Sequence, residues 1–364
     1  MRRRRGKDLP EKENENVNDE IKQQSNKVLP CMLSVILLFA VLTILCRLEP
    51  YPVQVSDITS DGGKWVEVSH SGGNRIIEYF VCGSEDGIPM YVQHGYGGTG
   101  KYWVMDHMCQ IAKSLTIKII SPSMPGFGYS SAYPIGEIRS LKTWHQDIQA
   151  VLRHANVGDE TAFYVSGVSA GCVHAAAIAN AFKDRIIGIS FFAPTAPDEI
   201  PGIHLAPVTR AAKQVLKVAY IGDLVAYIMG KVMLQESRFL AAPDVYKAMK
   251  RMENESVEMQ AIRKLFLDDC DRGSVHTHQG WHQNMHVITE SLPFNLSHLE
   301  EITNRNRKII ITSAPDDTTN SPEMQKWFAG SIKGSRIINA DPGYGHVHVL
   351  LDKVIRIAWE QMIL

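Results

Sequence analysis

The chain has 364 residues, enough for one large domain or two modest ones. Its 45% hydrophobic and 21% charged residues are ordinary for a globular protein, and a net charge of -1 argues against nucleic-acid binding by bulk electrostatics. No period of 20–50 residues repeats along the sequence, which argues against a solenoid or propeller.

Charge is unevenly placed. Residues 1–27 hold an arginine run, Arg2 to Arg5, followed by a stretch rich in Glu, Asn and Lys. Such a segment buries too little apolar surface to offset its ordering entropy, and it is expected to be a disordered cytosolic tail. The composition then changes abruptly. Residues 28–46, VLPCMLSVILLFAVLTILC, carry no charge. At 1.5 Å rise per residue they would extend roughly 28 Å, close to the hydrocarbon thickness of a bilayer. They are expected to form a membrane helix rather than a cleaved signal, whose apolar core is shorter.

Basic residues precede this segment in excess; Arg47 and Lys64 are the nearest after it. The positive-inside rule then predicts a type II single-pass protein with its main domain in the lumen of the endoplasmic reticulum or another endomembrane. Two sequons, Asn254-Glu-Ser and Asn295-Leu-Ser, are compatible with that placement. The N-terminal arginine run resembles the retention signals of type II endoplasmic-reticulum proteins.

Beyond residue 60, short apolar runs alternate with helical patterns. Strands are predicted at 64–69, 75–81, 88–93, 116–120, 162–166, 186–192, 308–312 and 335–339. Helices are predicted at 101–114, 140–154, 170–182, 322–329 and 347–362. The first two strands are expected to pair antiparallel through the turn at 70–74. The strand–helix alternation implies a mainly parallel sheet covered on both faces. From 195 to 307 the alternation stops and helical periodicity prevails. That interval reads as an insertion over the sheet, dividing a core of 60–194 and 308–364. Of the cysteines, Cys109 and Cys172 fall in predicted helices and are expected to be buried small apolar residues rather than bridges.

Gly167-Val-Ser169-Ala-Gly171 is a G-x-S-x-G pentapeptide. At a sharp strand-to-helix turn a serine is exposed on a strained backbone, and glycines two before and two after let strand and helix pass closely. The pentapeptide alone is weak. Here it follows an apolar strand and opens an Ala-rich helix, which is the context it requires. The helix N-terminus aims N–H groups at the site. Upstream, strand 88–93 ends in His94-Gly-Tyr-Gly-Gly98. Such a turn can bend a backbone N–H toward a reacting carbonyl. The N–H groups of Tyr96 and Ala170 are the candidate oxyanion donors, and His94 reads as a brace for the loop.

A serine nucleophile needs a base, and the base an orienting acid. Strand 308–312 runs into Ser313-Ala-Pro-Asp-Asp317, and the last strand into Asp341-Pro-Gly-Tyr-Gly-His346-Val-His348. His346, directly after a glycine, is preferred to His348 as the base. Asp316, three residues after the strand end, is favoured over Asp317 as the acid.

With Pro125-Gly-Phe-Gly-Tyr-Ser130, these segments resemble the α/β-hydrolase family, in its subgroup with a helical lid. The resemblance covers residues 60–362 except the insertion. It implies an eight-stranded sheet, a Ser-His-Asp triad and neither metal nor organic cofactor. Two departures are Ser123, where the family often has Asp, and Ser313, where it often has Gly. For a serine nucleophile the family's commonest activity is hydrolysis of carboxylic esters, and a lid beside an anchor favours a lipid or other lipophilic ester. Hydrolysis of C–C or thioester bonds, and a non-catalytic binding protein on the same fold, are the alternatives. His276, His278, His282 and His286 lack an acidic partner at zincin spacing and read as lid surface or substrate-entrance residues rather than a metal site.

Overall fold

The computed structural model describes residues 30, 32–42, 53–70, 73–133, 140–196, 200, 207–218, 221–233, 237, 239–240, 242–289 and 291–364. They fall into two units, 1–49 and 50–364. In the first, residues 30 and 32–42 are helical, and Met32, Leu33, Ile36 and Leu37 are exposed. No helix among the described residues is long and apolar enough to cross a membrane. The expected tail at 1–27 and the remainder of 28–46 lie outside the described residues.

The second unit is built on eight strands: β1 (Lys64–His70), β2 (Gly73–Gly83), β3 (Ile88–Gln93), β4 (Ile117–Pro122), β5 (Phe163–Val168), β6 (Ile186–Phe192), β7 (Lys308–Ser313) and β8 (Arg336–Asn339). Their order is β1-β2-β4-β3-β5-β6-β7-β8. The β1–β2 and β2–β4 pairs are antiparallel and every other pair is parallel. All eight predicted strands are present, each displaced by no more than two residues at either end.

Side-chain alternation explains the two-sided core. Tyr91, Val165, Ile189 and Ile311 belong to one apolar cluster, with Ile148, Ile178 and Phe328 from helices. Met90, Tyr164, Phe192 and Ile310, each an odd number of positions along its strand from these, belong to another, with Met108, Ile355 and Trp359. The covering helices are α1 (Val55–Ser60), α2 (Asp106–Ser114), α3 (Trp144–His154), α4 (Gly171–Ala181), α10 (Glu300–Asn304) at the end of the insertion, α11 (Pro322–Gly330) and α12 (Asp352–Ile363). Helix α4 is buried along almost its whole length. Its run of small residues, Ala175 to Ala177, lets it lie close against the sheet.

Strands β6 and β7 are neighbours, although residues 193–307 separate them in the chain. That interval holds α5 (Pro207–Lys217), α6 (Ile221–Tyr227), α7 (Pro243–Met252), α8 (Val257–Arg272) and α9 (Gln279–Thr289). Its last part rejoins the core: Leu296, Leu299 and Ile302 are buried in the same cluster as Phe163. Charged contacts hold the insertion to the sheet. Arg272 of α8 reaches Glu78 of β2 at 2.6 Å and Asp61 at 2.6 Å. Asp269 accepts from the Thr99 N–H at 2.8 Å.

The expectation for Cys109 is corrected. Cys82 of β2 and Cys109 of α2 form a disulfide, with Cα atoms 5.6 Å apart. Nothing in the spacing of 27 residues signals it; only the packing of α2 on β2 brings the two together. Closing a loop of that length contributes about 3–4 kcal/mol in the chain-entropy account. Cys172 is buried with a free thiol, as expected.

Candidate active site

The site starts at the turn from β5 into α4. Ser169 has φ of +51°, in the left-handed region where a residue with a Cβ is strained. Surrounding contacts hold it there: its N–H donates to the Phe192 carbonyl at 2.8 Å, and its carbonyl accepts from the Cys172 N–H at 3.0 Å. The flanking glycines are sterically required. A Cβ on Gly167 would stand 2.6 Å from the Ala175 Cβ, and one on Gly171 2.3 Å from the His94 carbonyl oxygen.

The structure brings His346 to this serine. The Ser169 hydroxyl lies 2.8 Å from His346 Nε2, and His346 Nδ1 lies 2.8 Å from Asp317 Oδ2. The expectation of Asp316 as the partner of the histidine is therefore corrected in favour of Asp317. The two aspartates share one turn but face different ways. Asp316 accepts instead from the N–H groups of Gly343 (2.7 Å) and Gly345 (3.1 Å), and so holds the loop that carries the histidine. Asp317 is buried and takes three further donors: the N–H groups of Thr319 and Asn320 and the Gln325 amide. His348 turns into the core, where its Nδ1 lies 2.8 Å from the Gly345 carbonyl. Burial lowers its pKa.

Burial pulls the pKa of His346 down, but the charge and hydrogen bond of Asp317, helped by Asp244, outweigh it. The net result lies above the ordinary histidine value. Asp244 comes from α7 of the insertion. Its carboxylate accepts from the N–H groups of His346 (3.0 Å) and Thr318 (3.1 Å) and from the Thr319 hydroxyl (2.6 Å). One side chain of the insertion thus ties the histidine loop to the acid loop. Asn320 was not foreseen either. Its Nδ2 donates to Ser169 Oγ at 3.3 Å and to the Ala193 carbonyl at 2.8 Å. The run Asp317-Thr-Thr-Asn320 carried a usable signal, because an aspartate followed by such residues favours an Asx-type turn around its own carboxylate.

The upstream loop comes from β3. A Cβ on Gly95 would sit 3.3 Å from the Ser169 Cβ, so the loop passes directly beside the serine. His94 Nε2 accepts from the Met124 N–H at 2.8 Å, which leaves Nδ1 protonated to donate to the Gly95 carbonyl at 2.8 Å. It braces the loop. Tyr96 lines the cavity, and its hydroxyl donates to the Trp281 carbonyl of α9 at 2.7 Å. Ala170, at the head of α4, is buried and lines the same cavity. The first N–H groups of a helix have no intrahelical acceptor, so this end is suited to an anionic oxygen.

Ser169 and His346 open into a cavity of about 180 Å³. Its wall is mainly apolar, with Trp103, Met229, Phe266, Trp281, Met285 and Val347 among its residues. Of the histidines at 276–286, His282 and His286 pack edge-on with ring centroids 4.9 Å apart. His278 packs edge-on against Tyr227, and burial takes its pKa down to about 4. His282 Nδ1 lies 2.8 Å from the Leu216 carbonyl. No group of three potential metal ligands occurs among the described residues.

No family model matches the sequence. A 144-residue stretch is 26% identical to the dihydrolipoyllysine-residue acetyltransferase component of the acetoin cleaving system of Pseudomonas putida; it covers 39% of this chain and 36% of that protein. The hydrolase-fold structure is similar to that of a thermophilic esterase from Thermogutta terrifontis, with TM-score 0.56 and 16% identity over 82% of this chain and 99% of that one. An esterase from Rhodococcus sp. ECU1013 gives TM-score 0.58 and 15% identity over 82% and 98%. A bromoperoxidase from Bacillus anthracis gives TM-score 0.56 and 15% identity over 82% and 99%.

The fold is the α/β-hydrolase fold. Within it, the strand order, the elbow at Ser169 and the loops after β7 and β8 come together at the carboxyl ends of the parallel strands, where open α/β sheets place their sites.

Proposed function

We propose that this protein is a serine hydrolase that cleaves carboxylic esters through an acyl-enzyme. The observation that carries the reading is the unbroken chain Ser169 Oγ–His346 Nε2, His346 Nδ1–Asp317 Oδ2, both links at 2.8 Å, on an elbow strained at the serine. His346 takes the Ser169 proton as Oγ attacks the acyl carbonyl. The N–H groups of Ala170 and Tyr96 receive the oxyanion. The imidazolium, steadied by Asp317, then protonates the leaving alkoxide. Water, activated by the same imidazole, attacks the acyl-enzyme and releases the acid. An apolar cavity suits a lipophilic acyl or alcohol group, and solved proteins with this fold include ones named esterases. A fluorophosphonate probe is expected to label the wild type and not Ser169→Ala. No labelling of folded wild type would overturn the enzymatic reading, and labelling of Ser169→Ala would assign the nucleophile elsewhere.

In the same proposal, residues 28–46 anchor the chain and the hydrolase unit lies on the lumenal side. Three features support this: the apolar run, the Cys82–Cys109 disulfide, which persists in oxidising compartments, and the exposure of Asn254 and Asn295. Expressed in cells with a secretory pathway, the protein should shift on glycosidase treatment. Asn254→Gln and Asn295→Gln together should abolish the shift. A wild type without any shift would count against the lumenal placement.

A further inference from the structure

A second strained residue stands close to the nucleophile. Ala193 directly follows β6 and has φ of +45°, a left-handed conformation that costs free energy in a residue with a Cβ. Its N–H donates to the Thr312 carbonyl of β7 at 3.2 Å, and its own carbonyl accepts from Asn320 Nδ2 at 2.8 Å. The preceding residue, Phe192, accepts from the Ser169 N–H at 2.8 Å. The end of β6 thus holds the nucleophile's backbone with one carbonyl and the Asn320 amide with the next.

That arrangement fixes which way the amide lies. A carbonyl can only accept, so the group facing Ala193 must be the Asn320 nitrogen. An amide nitrogen carries two hydrogens, and the second is left for Ser169 Oγ at 3.3 Å. Asn320 is buried and lines the cavity. The serine proton is committed as well. His346 Nδ1–H donates to Asp317, which leaves Nε2 to accept from the hydroxyl at 2.8 Å. Ser169 Oγ therefore gives its one proton to the base and accepts one from Asn320.

The amide is tight on Ala193 and long on the neutral hydroxyl. A hydrogen bond shortens and strengthens when its acceptor carries negative charge. Oγ gains such charge twice: as His346 removes its proton during attack, and as it leaves the acyl group in deacylation. A donor that is loose on the resting hydroxyl and tight at those moments favours the transition state over the ground state.

Building on the esterase reading, we propose that Asn320 is a further catalytic residue, a hydrogen-bond donor to the nucleophilic oxygen itself. The N–H groups of Ala170 and Tyr96 serve the carbonyl oxygen; Asn320 serves Oγ. In acylation the Oγ proton passes to His346 Nε2 as the Oγ–C bond forms, and then to the leaving alkoxide. In deacylation His346 takes a proton from water as its oxygen attacks, and returns it to Oγ as the Oγ–C bond breaks. Asn320 transfers no proton in either half; its N–H steadies Oγ while that oxygen carries charge.

The test measures hydrolysis of p-nitrophenyl butyrate by the full-length protein, with thermal melting as the check on folding. Asn320→Ala and Asn320→Leu remove the donor and leave the acid loop tied, since the backbone N–H of residue 320 still donates to Asp317 and its carbonyl still accepts from the Gln325 amide. Each should lower kcat by about tenfold to a hundredfold, at or below the loss seen when an oxyanion donor is removed. KM should stay within about twofold, the mark of an interaction made only in the transition state. Labelling of Ser169 by the fluorophosphonate should slow in step. In these two variants the acid limb of the pH profile should stay in place, because burial, Asp317, Asp244 and Lys213, which set the His346 pKa, are untouched. Asn320→Asp keeps the shape but turns the donor into an acceptor at pH 8, and should lose at least as much.

An unchanged kcat in folded Asn320→Ala or Asn320→Leu would overturn the proposal. So would an acid limb that moves as in a variant lacking the acid, which would make Asn320 a support of the Asp317 loop. If both apolar variants fail to fold, the near-isosteric Asn320→Asp decides, and full activity there overturns it. A wild type that the probe does not label would sink the esterase reading and this one together, whereas a labelled wild type with fully active variants sinks this one alone.

Discussion

Asp317→Asn is expected to lower kcat by about 10⁴-fold while leaving the fold intact, because an asparagine in that position holds the imidazole in the wrong tautomer. The expectation follows from Asp317 accepting the His346 Nδ1–H at 2.8 Å. The neighbouring substitution Asp316→Asn should cost less than about tenfold. An asparagine oxygen can still accept from the Gly343 and Gly345 N–H groups, and one neutral hydrogen bond is worth about 1 kcal/mol. The two variants therefore separate acid from loop brace.

The pH profile gives a second readout. His346 acts as a base only when neutral, and its pKa lies above the ordinary value; burial pulls it down, and Asp317 raises it more. Activity should thus fall as pH drops through a value above 6.5. In Asp317→Asn that acid limb should move to lower pH, because the largest raising influence is gone. The assignment fails if Asp316→Asn carries the larger loss in kcat, or if the acid limb of Asp317→Asn stays in place.

Arg272→Met is expected to destabilise the hydrolase unit by about 3–5 kcal/mol at pH 8, the cost of leaving a buried charge without its partner. Arg272 is the cation that links α8 of the insertion to Glu78 on β2 and to Asp61. The Glu78 side chain is fully buried, and burial pushes its pKa up to about 7 even against the pull of Arg272. Burial likewise takes Asp269 up to about 6. For both carboxyls the folded value exceeds the unfolded one, so between the two values the folded chain binds more protons. Wild-type stability should accordingly fall as pH rises from about 4.5 to about 7.

Without Arg272 the Glu78 carboxyl is pushed higher still. The deficit of the variant should then be smallest near pH 5.5, where Glu78 is neutral in the fold, and should grow toward pH 8. Glu78→Gln placed on Arg272→Met should recover most of the loss at pH 8. Urea midpoints at the two pH values check this. An identical deficit at both, or no recovery in the double variant, would mean that Arg272 stabilises by packing against Phe80 and Tyr129 rather than by charge.

These two cases mark where the sequence stops being informative. Strands β3 and β6 were legible to the residue, because a buried strand is an uninterrupted apolar run bounded by turn residues, and both properties are local. Helices were less sharply bounded. Residues 101–114 and 347–362 read as single helices. Each contains a 3₁₀ stretch, Gly100–Val104 and Gly345–Leu350, before the α-helix proper, and apolar periodicity does not distinguish the two winds.

Ser169 and its strand–turn–helix setting, the His346 loop and the Gly-rich turn at 94–98 were all legible in the chain. Each rests on short-range patterns in which glycine permits what another residue would block. The choice between Asp316 and Asp317 was not legible, since adjacent residues in a turn point to different sides and only the position of the histidine decides which one it meets. The Cys82–Cys109 bridge, the Asp244 latch and the Asn320 contact were equally out of reach. Each depends on an approach between segments distant in the chain, made by packing that no local pattern encodes. The sequence by itself determined the sheet, the elbow and the family of chemistry to be tested. The tertiary structure decided which acid serves the histidine, because only the approach of the loops after β7 and β8 sets which of two adjacent carboxylates the imidazole meets.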